Sequence, residues 1–307
     1  MKISISLLLI IANIQFFNNI MYNCIGDKIM TKLLSGIECK NKLKEKLTKN
    51  INKIKEKITI TVISVGNDEA SKIYVRNKIK ECQSVNIECQ HLHFKETTTN
   101  ELTKLITKLN KDKNITGILV QLPLPKNIDE NKVINTIDYK KDIDGLTETN
   151  IAKLYSNKKS IIPCTAKGII DLLEFNKIDI EGKNITIIGR SNLVGKPLSL
   201  ALLKRNATVT LCHSKTKDLK KHTKKADIIV VAVGKPNLIK KEMISKNSII
   251  VDVGINRINE KICGDVDKTV YKKCKAITPV PGGVGPMTVY EVLSNTLECY
   301  KLQKDKK

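Results

Sequence analysis

Apolar residues recur along the chain with two alternating periods, and each change of period predicts a new strand or helix. Leu43, Leu47 and Ile51 follow one another at helical spacing within residues 37–54, which predicts an amphipathic helix. Residues 58–65 (ITITVISV) instead form a run rich in β-branched side chains. Such a run is typical of a buried strand.

The same alternation continues toward the end of the chain and predicts an α/β protein. Further helices are predicted at residues 69–84, 100–109, 129–137, 166–175, 195–204 and 287–300, and further strands at residues 87–94, 117–122, 184–188, 207–211, 227–233 and 248–253. Continuous apolar strands separated by helices predict parallel sheets that are covered by helices.

Length and the order of segments predict two α/β domains. The chain has 307 residues, which corresponds to two domains of ~150 residues. We place the join near residues 148–154. The first domain then comprises residues 30–149 together with a C-terminal helix, residues 287–307, that packs back on it. The second, residues 150–286, is predicted to be Rossmann-like with a parallel sheet.

Residues 1–29 are predicted to lie outside the folded body. Lys2 is followed by an apolar stretch whose centre, residues 7–12, is uninterrupted. A positive residue before a short apolar core is typical of a signal or import leader. The stretch is too short and too polar for a membrane span of ~20 mostly apolar residues, and we predict no stable membrane association of the body. The alternative is that Met30 is the working start of the protein.

The positive charge raises the question of a nucleic-acid partner. The chain has 54 Lys and Arg against 31 Asp and Glu, a formal net charge of +23. Its lysines are spread along the chain, and the guanidinium group, which is better suited to phosphate recognition, is rare. The four arginines are Arg76, Arg190, Arg205 and Arg257. We therefore predict no nucleic-acid partner.

Cysteine and histidine usage predicts no metal site. The nine cysteines are scattered and lack C-x-x-C spacing, so they indicate neither a zinc cluster nor a disulfide framework. His91 and His93 share one face of a predicted strand, but no third ligand is nearby in the sequence. Such cysteine usage is typical of a reduced, intracellular compartment. This would be the cytoplasm, or a mitochondrion or plastid if residues 1–29 act as a leader.

A glycine-containing turn after the predicted strand at residues 184–188 indicates a dinucleotide site. The sequence reads GRSNLVGKP from Gly189, and glycines at a strand-to-helix turn bring helix N–H groups close to a phosphate. Ser191 stands where the second glycine of G-x-G-x-x-G is expected, and the last glycine is displaced by one position. Taken alone, the turn is about equally consistent with a purely structural role.

The end of the next predicted strand favours NADP over NAD. An NAD site usually carries an acidic residue about 20 residues further on, where it binds the ribose 2′-hydroxyl. This chain instead reads CHSKT at residues 212–216, with the hydroxyl of Ser214 and the cation of Lys215. These groups and Arg190 suit a 2′-phosphate. The alternative for Lys215 is a solvated surface lysine.

Three polar signals follow apolar strands of the first half, where α/β folds place their sites. Tyr74 and Lys78 lie four residues apart on a predicted helix and share one of its faces. Gln121 ends the segment GILVQ, and Asp144 lies in the loop KDIDG. Each signal has an ordinary explanation on its own, as a surface lysine, a turn or a capping aspartate.

Together with two longer motifs, these residues carry a family resemblance. Residues 117–125 read GILVQLPLP and residues 278–288 read TPVPGGVGPMT. With the GRS turn, they resemble the bifunctional methylenetetrahydrofolate dehydrogenase/methenyltetrahydrofolate cyclohydrolase family over residues 30–302. The resemblance implies hydride transfer from 5,10-methylenetetrahydrofolate to NADP⁺, followed by hydrolysis of the 5,10-methenyl cation to 10-formyltetrahydrofolate. It also implies a folate-binding first domain, an NADP-binding second domain and a homodimer formed through the second.

The resemblance also implies catalytic roles for four residues. Lys78 matches the key group of the hydrolytic step and Tyr74 packs on the folate. Gln121 orients the lysine, and Asp144 binds the pterin ring. The chemistry is consistent, because a cationic methenyl bridge favours the neutral form of a nearby lysine and a carboxylate accepts hydrogen bonds from a pterin edge. The other implied substrate contacts are Val120, Leu122, Pro281, Gly282, Gly283, Val284 and Gly285, and the implied cofactor contacts are Gly189, Arg190, Ser191, Ser214 and Ile255.

The chain departs from the family pattern at Ala166, where a proline commonly follows the residues PCT. Loss of that proline loosens the start of a helix but removes no reacting group. A dehydrogenase without the hydrolytic activity is the alternative within this architecture. The presence of all four catalytic candidates argues against it.

Overall fold

Two parallel β-sheets form the centre of the computed structural model, which describes residues 31–259 and 261–304. Their strands are β1 (Lys32–Leu33), β2 (Thr59–Val65), β3 (Glu88–Phe94), β4 (Gly117–Val120), β5 (Asn184–Ile188), β6 (Thr208–Cys212), β7 (Ile228–Val231), β8 (Ile249–Asp252) and β11 (Ala276–Ile277). Two further strands, β9 (Asn256–Ile258) and β10 (Lys261–Cys263), pair in an antiparallel hairpin. The predicted α/β class with parallel sheets is confirmed.

Helices cover the sheets and connect their strands. They are α1 (Gly36–Ile51), α2 (Glu69–Gln83), α3 (Thr99–Lys111), α4 (Glu130–Asn135), α5 (Glu148–Tyr155), α6 (Cys164–Phe175), α7 (Gly195–Leu203), α8 (Leu219–Lys224) and α9 (Val284–Lys304). Short 3₁₀ turns occur at Lys241–Met243 and Lys268–Lys272.

The smaller sheet has the strand order β3–β2–β4, and both pairs are parallel. The central strand β2 is buried along its whole length, and its side chains alternate between the two faces. Ile60 and Val62 join the core formed with α1, α2 and α9, whereas Ile63 joins the core formed with α3 and α4. Burial on both faces explains why this strand appears in the sequence as a continuous run rich in β-branched residues, without alternating charged positions.

The larger sheet has the strand order β1–β11–β8–β7–β5–β6, with all neighbours parallel. Ile169 of α6 and Leu198 of α7 belong to the core on one face of this sheet. Ile250 and Val270 belong to the core on the other face. The second predicted domain is therefore a Rossmann-like layer arrangement, and the expectation of two α/β domains is confirmed.

The C-terminal helix packs back on the first domain, as the sequence predicts. Met287 and Leu293 share a core cluster with apolar residues of α1 and β2. The helix begins at Val284 and not at the predicted Met287, so Val284 and Gly285 belong to its first turn and not to a loop. Pro286 lies in this first turn, where proline is tolerated because the amide there has no intrahelical partner.

Some short elements differ from the prediction. The predicted join is a helix, α5, which is capped by Thr147 because its side chain accepts a hydrogen bond from the Asn150 N–H. Strand β1 pairs with β11 in the larger sheet, although the predicted domain boundary groups it with the smaller one. Segments this short hold too few residues to show a period, so the pattern does not reveal them.

The interpretation of residues 1–29 as a leader or extension lies outside the described residues. The hydroxyl of Thr31 donates to the Cys274 carbonyl at 2.6 Å, and β1 follows directly and pairs with β11. The chain therefore contacts the larger sheet from residue 31 onward.

We expect a chain that begins at Met30 to fold with the melting temperature and activity of the full-length protein. The reason is that residues 31–33 already make sheet contacts. Thermal melts and activity assays of both chains measure this. Insolubility of the shortened chain would show that the extension is required for folding.

The pair of histidines has a structural explanation. His91 Nε2 and His93 Nδ1 lie 2.8 and 3.1 Å from the Ser64 hydroxyl oxygen.

Across residues 31–259 and 261–304, no three His, Cys, Asp or Glu side chains come together as a metal ion would require. No helix in that part of the chain combines the length and apolar character of a membrane span.

Candidate active site

A cleft of about 380 Å³ opens where the carboxyl ends of strands from both sheets face each other. Ligands of parallel α/β sheets bind at this edge. Side chains reach the cleft from α2, from the loops after β4, β5 and β8, from the loop between α4 and α5, from the first turn of α6 and from the first two turns of α9. The residues that line it are Asp68, Ser71, Tyr74, Lys78, Gln121, Leu122, Pro123, Asp144, Leu146, Pro163, Cys164, Thr165, Leu193, Val194, Val253, Ile255, Val284, Gly285, Thr288 and Val289.

Lys78 and Gln121 contact each other in this cleft. Lys78 is 7% exposed, and its Nζ donates to Gln121 Oε1 at 3.1 Å. The amide is itself fixed, because its Nε2 donates to the Leu122 carbonyl at 2.6 Å and its backbone N–H donates to the Ile63 carbonyl at 2.8 Å. A nearly buried amine held by a fixed amide is suited to proton transfer at one position.

Tyr74 lies one helical turn before Lys78 and forms part of the cleft wall. Its side chain is 38% exposed, and burial of the remainder raises the pKa of the phenol. The hydroxyl therefore stays protonated at neutral pH. A neutral ring of this exposure offers a flat apolar face to a flat heterocycle.

Asp144 is placed by a segment that runs beside the smaller sheet. The Ile143 N–H donates to the Ile118 carbonyl of β4 at 3.3 Å, and the chain then turns at Gly145. Gly145 has a φ of +68°, and a Cβ there would lie 2.8 Å from the Ile161 carbonyl oxygen. A glycine is therefore needed to bring the Asp144 side chain to the cleft.

The buried side chains of Asp142 and Cys164 stabilise this turn. Asp142 accepts hydrogen bonds from the Thr147 N–H at 2.8 Å and from Asn150 Nδ2 at 2.9 Å, and burial raises the pKa of its carboxyl. The Cys164 thiol donates to the Ile143 carbonyl at 3.5 Å. Burial also raises the pKa of this thiol well above its usual range, so Cys164 is a neutral donor beside the turn and not a nucleophile.

The cleft contains most of the predicted substrate contacts. Those in its lining are Tyr74, Lys78, Gln121, Leu122, Asp144, Val284 and Gly285. Val120 is not in the lining, because β4 buries it to 2% exposure. The roles of these residues toward a ligand stay predictions.

The predicted contacts Pro281, Gly282 and Gly283 also lie outside the lining. Gly282 and Gly283 pack instead against the start of α1, where the Gly36 N–H donates to the Gly282 carbonyl at 2.9 Å. A Cβ on Gly36 would lie 1.7 Å from the Gly283 carbonyl oxygen. This close approach fixes the loop just before the first turn of α9, which does reach the cleft.

The turn after β5 has no room for side chains on its glycines. Gly189 has a φ of +119°, and a Cβ on it would lie 2.3 Å from the Ala232 carbonyl oxygen. A Cβ on Gly195 would lie 1.9 Å from the Gly189 carbonyl oxygen. The Ser191 hydroxyl accepts a hydrogen bond from the Val194 N–H at 3.2 Å, so serine stabilises the turn in place of the expected glycine. The glycines therefore allow a tight turn that brings the N–H groups at the start of α7 to the carboxyl edge of the larger sheet, the position at which such folds bind a dinucleotide phosphate.

The other predicted cofactor contacts lie at the same edge of the larger sheet. Ile188 pairs with Cys212, and Arg190 and Ser214 each follow their strand by two residues, so they lie on adjacent loops. Both are exposed and neither lines the cleft. Ile255 does line it and is 53% exposed.

Sequence reasoning missed Thr165 and Thr288, whose hydroxyl oxygens lie 3.2 Å apart in the cleft. They come from the first turns of α6 and α9, which are distant in sequence. A single hydroxyl gives no signal in a hydrophobic pattern. The position of Thr288 at the end of the TPVPGGVGPMT motif is the signal that points to it.

Family models match both halves of the chain. Residues 34–144 match the catalytic domain of tetrahydrofolate dehydrogenase/cyclohydrolase. Residues 163–304 match the NAD(P)-binding domain of the same family. Lys78, Gln121 and Asp144 fall in the first match, and the glycine turn falls in the second.

Proteins of known name are similar over most of the chain. Bifunctional protein FolD of Agathobacter rectalis is 49% identical over 278 residues, which is 89% of this chain and 100% of that protein. The crystal structure of the bifunctional enzyme FolD from Campylobacter jejuni has a TM-score of 0.86 at 43% identity and covers 89% of this chain and 99% of its own. The dehydrogenase-cyclohydrolase of Trypanosoma brucei, complexed with NADP cofactor and inhibitor, has a TM-score of 0.85 at 30% identity and covers 90% of this chain and 99% of its own. The resemblance predicted from the motifs is thus confirmed, and the chain belongs to the tetrahydrofolate dehydrogenase/cyclohydrolase family.

Proposed function

We propose that this protein oxidises 5,10-methylenetetrahydrofolate with NADP⁺ and hydrolyses the 5,10-methenyl product to 10-formyltetrahydrofolate in the same cleft. The observation that carries the proposal is the 3.1 Å hydrogen bond between Lys78 and Gln121, in a cleft that Tyr74 and Asp144 also line. Hydride transfer needs only that the folate and the nucleotide are bound in alignment with each other. The Lys78 amine, which Gln121 holds in place, adds a group that can transfer a proton. Hydrolysis needs such a group.

Tyr74 and Asp144 are proposed to bind the folate. The Asp144 carboxylate has acceptors for the amino group and N–H of a pterin edge. The exposed part of the Tyr74 ring provides a surface on which the flat heterocycle packs. Both side chains line the same cleft as Lys78, so a folate bound in this way brings its one-carbon unit toward the lysine.

The oxidation step needs the two ligands aligned. NADP⁺, when bound at the glycine turn, supplies the acceptor for the hydride that leaves the methylene carbon. The contribution of the chain is positional. Gly189 and Gly195 let the turn after β5 close tightly on itself, which places the start of α7 where its N–H groups can bind a diphosphate, and Ile255 borders the cleft. Holding both reactants in one orientation makes the step effectively unimolecular.

The hydrolytic step needs a base. Water attacks the methenyl carbon and Lys78 takes one proton from it, which leaves a neutral hydroxyl adduct. The ring nitrogen then takes up a proton as its bond to carbon breaks, the hydroxyl loses its proton as the formyl C=O forms, and one proton is released overall. Gln121 Oε1 holds the amine at 3.1 Å and so fixes the direction of the transfer.

Assays of the purified full-length protein test the proposal. Methylenetetrahydrofolate and NADP⁺ should give NADPH, which is measured by the fluorescence of its reduced nicotinamide. Methenyltetrahydrofolate supplied without nucleotide should lose its own absorbance faster than in buffer. Oxidation without hydrolysis would reduce the function to a dehydrogenase, and loss of both would overturn the proposal.

Ser214→Asp is expected to shift the nucleotide preference from NADP⁺ toward NAD⁺. A carboxylate at the end of β6 repels a 2′-phosphate and accepts a hydrogen bond from a ribose 2′-hydroxyl. The measurement is kcat/KM for both nucleotides. Ser214→Asn is the matched control, because it has nearly the same shape without the charge and should keep the NADP⁺ preference. Equal use of both nucleotides by the parent would contradict the argument.

A homodimer formed through the second domain is also proposed, on the strength of the family resemblance. Size-exclusion chromatography with light scattering measures the mass in solution directly. A mass of about one chain of 34.4 kDa would contradict it.

A further inference from the structure

Asp265 joins two loops at the carboxyl edge of the larger sheet. Its Oδ2 accepts hydrogen bonds from the N–H groups of Val233 at 2.8 Å and Gly234 at 3.0 Å, both in the loop after β7. Its Oδ1 accepts a hydrogen bond from Asn256 Nδ2 at 2.9 Å, in the segment after β8. The residue is 0% exposed, so one buried carboxylate fixes the spacing of these loops.

Both loops border the part of the cleft assigned to the nucleotide. Val253 and Ile255, in the loop after β8, line it directly. Val233, in the loop after β7, has its Cγ1 3.3 Å from the position that a Cβ on Gly189 would take. The loop after β7 thus packs against the glycine turn after β5.

A second buried carboxylate holds Asp265 in place. Asp252, at the end of β8, accepts hydrogen bonds from the N–H groups of Asp265 at 2.9 Å, Val266 at 3.0 Å and Gly254 at 3.1 Å. Burial raises the pKa of Asp252 to about 6, so it is mostly ionised at neutral pH, the form that accepts all three bonds. A Cβ on Gly254 would lie 2.3 Å from the Asp265 carboxyl carbon, so the loop closes tightly on the carboxylate.

We infer that Asp265, with Asn256, is a positioning residue for the dinucleotide: it sets the distance between the loops after β7 and β8 and so shapes the nucleotide half of the cleft. This inference rests on the proposed function. Neither residue is among those that line the cleft. Hydrolysis of supplied methenyltetrahydrofolate uses no nucleotide, and its candidate residues Lys78 and Gln121 lie in the first domain. Loosening these loops therefore weakens nucleotide binding and leaves hydrolysis unchanged.

The test is Asp265→Asn in the full-length protein, with NADPH as the binding probe. Asparagine keeps the volume but removes the negative charge, so the bonds from the N–H groups of Val233 and Gly234 weaken. Its NH₂ also faces the NH₂ of Asn256 until that amide turns over. We expect the Kd for NADPH, measured by nicotinamide fluorescence, and the KM for NADP⁺ to rise about tenfold. The rate of methenyltetrahydrofolate hydrolysis should stay at the parental value.

Two further variants separate positioning from general damage. The double variant Asp265→Asn/Asn256→Asp places a carboxylate opposite the new amide and so restores a charge-assisted bond between the two loops, and we expect it to recover part of the lost NADPH affinity. Asp267→Asn is the matched control. It removes the same charge two residues further on, where the carboxylate accepts from the Thr269 N–H of its own turn at 2.8 Å, and it should leave the Kd unchanged.

The outcomes are distinct. Unchanged NADPH affinity in Asp265→Asn overturns the inference, and so does an equal loss of hydrolysis and nucleotide affinity. If that variant does not fold, Asn256→Ala decides the question, because it removes one bond and should still raise the Kd with hydrolysis intact; an unchanged Kd there overturns the inference. A parent protein that neither binds NADPH nor reduces NADP⁺ is instead a failure of the proposed function.

Discussion

Lys78→Met is expected to lower the rate of methenyltetrahydrofolate hydrolysis by ~10²–10⁴-fold, the usual contribution of a positioned acid or base. Methionine keeps an unbranched side chain of similar length, so α2 should retain its packing beside Tyr74. It has no nitrogen to take a proton from water, and the contact with Gln121 is lost. Oxidation depends mainly on alignment of the two ligands, so it should continue at a measurable rate and the methenyl product should accumulate.

Paired assays of both steps, with a thermal melt of each variant, measure this separation. Lys80→Met is the matched control, because Lys80 lies on the same helix and is exposed. It should keep both activities. Hydrolysis at the parental rate in Lys78→Met would show that another group is the base and that the assignment of Lys78 is wrong.

Strands that are buried on both faces could be predicted closely from the sequence. The run at residues 184–188 is strand β5 with the same bounds, and the run at residues 58–65 is β2 with one residue fewer. Their continuous apolar character follows from burial in the middle of a sheet, which is a local property of the sequence. Strand β1, with two residues, and helix α5, with eight, are too short for a period to appear.

The candidate site was predictable where its residues lie in contiguous motifs. Lys78, Gln121 and Asp144 could be selected because each follows an apolar strand and matches a family motif. Asp265 contacts Val233 across 32 positions, and Thr165 contacts Thr288 across 123. The first contact arises where loops meet at one edge of the larger sheet and the second where α6 packs against α9, and no local pattern of residues encodes either meeting. The tertiary structure was needed to find them.

The arrangement of the cleft explains why its two activities should respond differently to substitution. The candidate hydrolytic base and its amide partner come from α2 and the end of β4, whereas the glycine turn and the loops held by Asp265 belong to the larger sheet. A change confined to the larger sheet should therefore alter nucleotide use, and a change at Lys78 should alter hydrolysis. A change in folate binding should alter both.

Asp144→Asn is expected to lower kcat/KM for oxidation and for hydrolysis together, by roughly 10- to 100-fold. The carboxylate offers only acceptors to a pterin edge, whereas asparagine turns an NH₂ donor toward the donors of the ring. Hydrogen bonds to a charged group contribute about 1.5–3 kcal/mol, and each 1.4 kcal/mol is about tenfold.

Both steps use the same folate, so the two losses should be of similar size, in contrast to the selective loss at Lys78. Asp138→Asn is the matched control, because this exposed carboxylate accepts a hydrogen bond from the Lys140 N–H at 2.9 Å outside the cleft. It should change neither rate. Loss of one activity alone in Asp144→Asn would show that Asp144 takes part in a single chemical step, and its assignment to pterin binding would then be wrong.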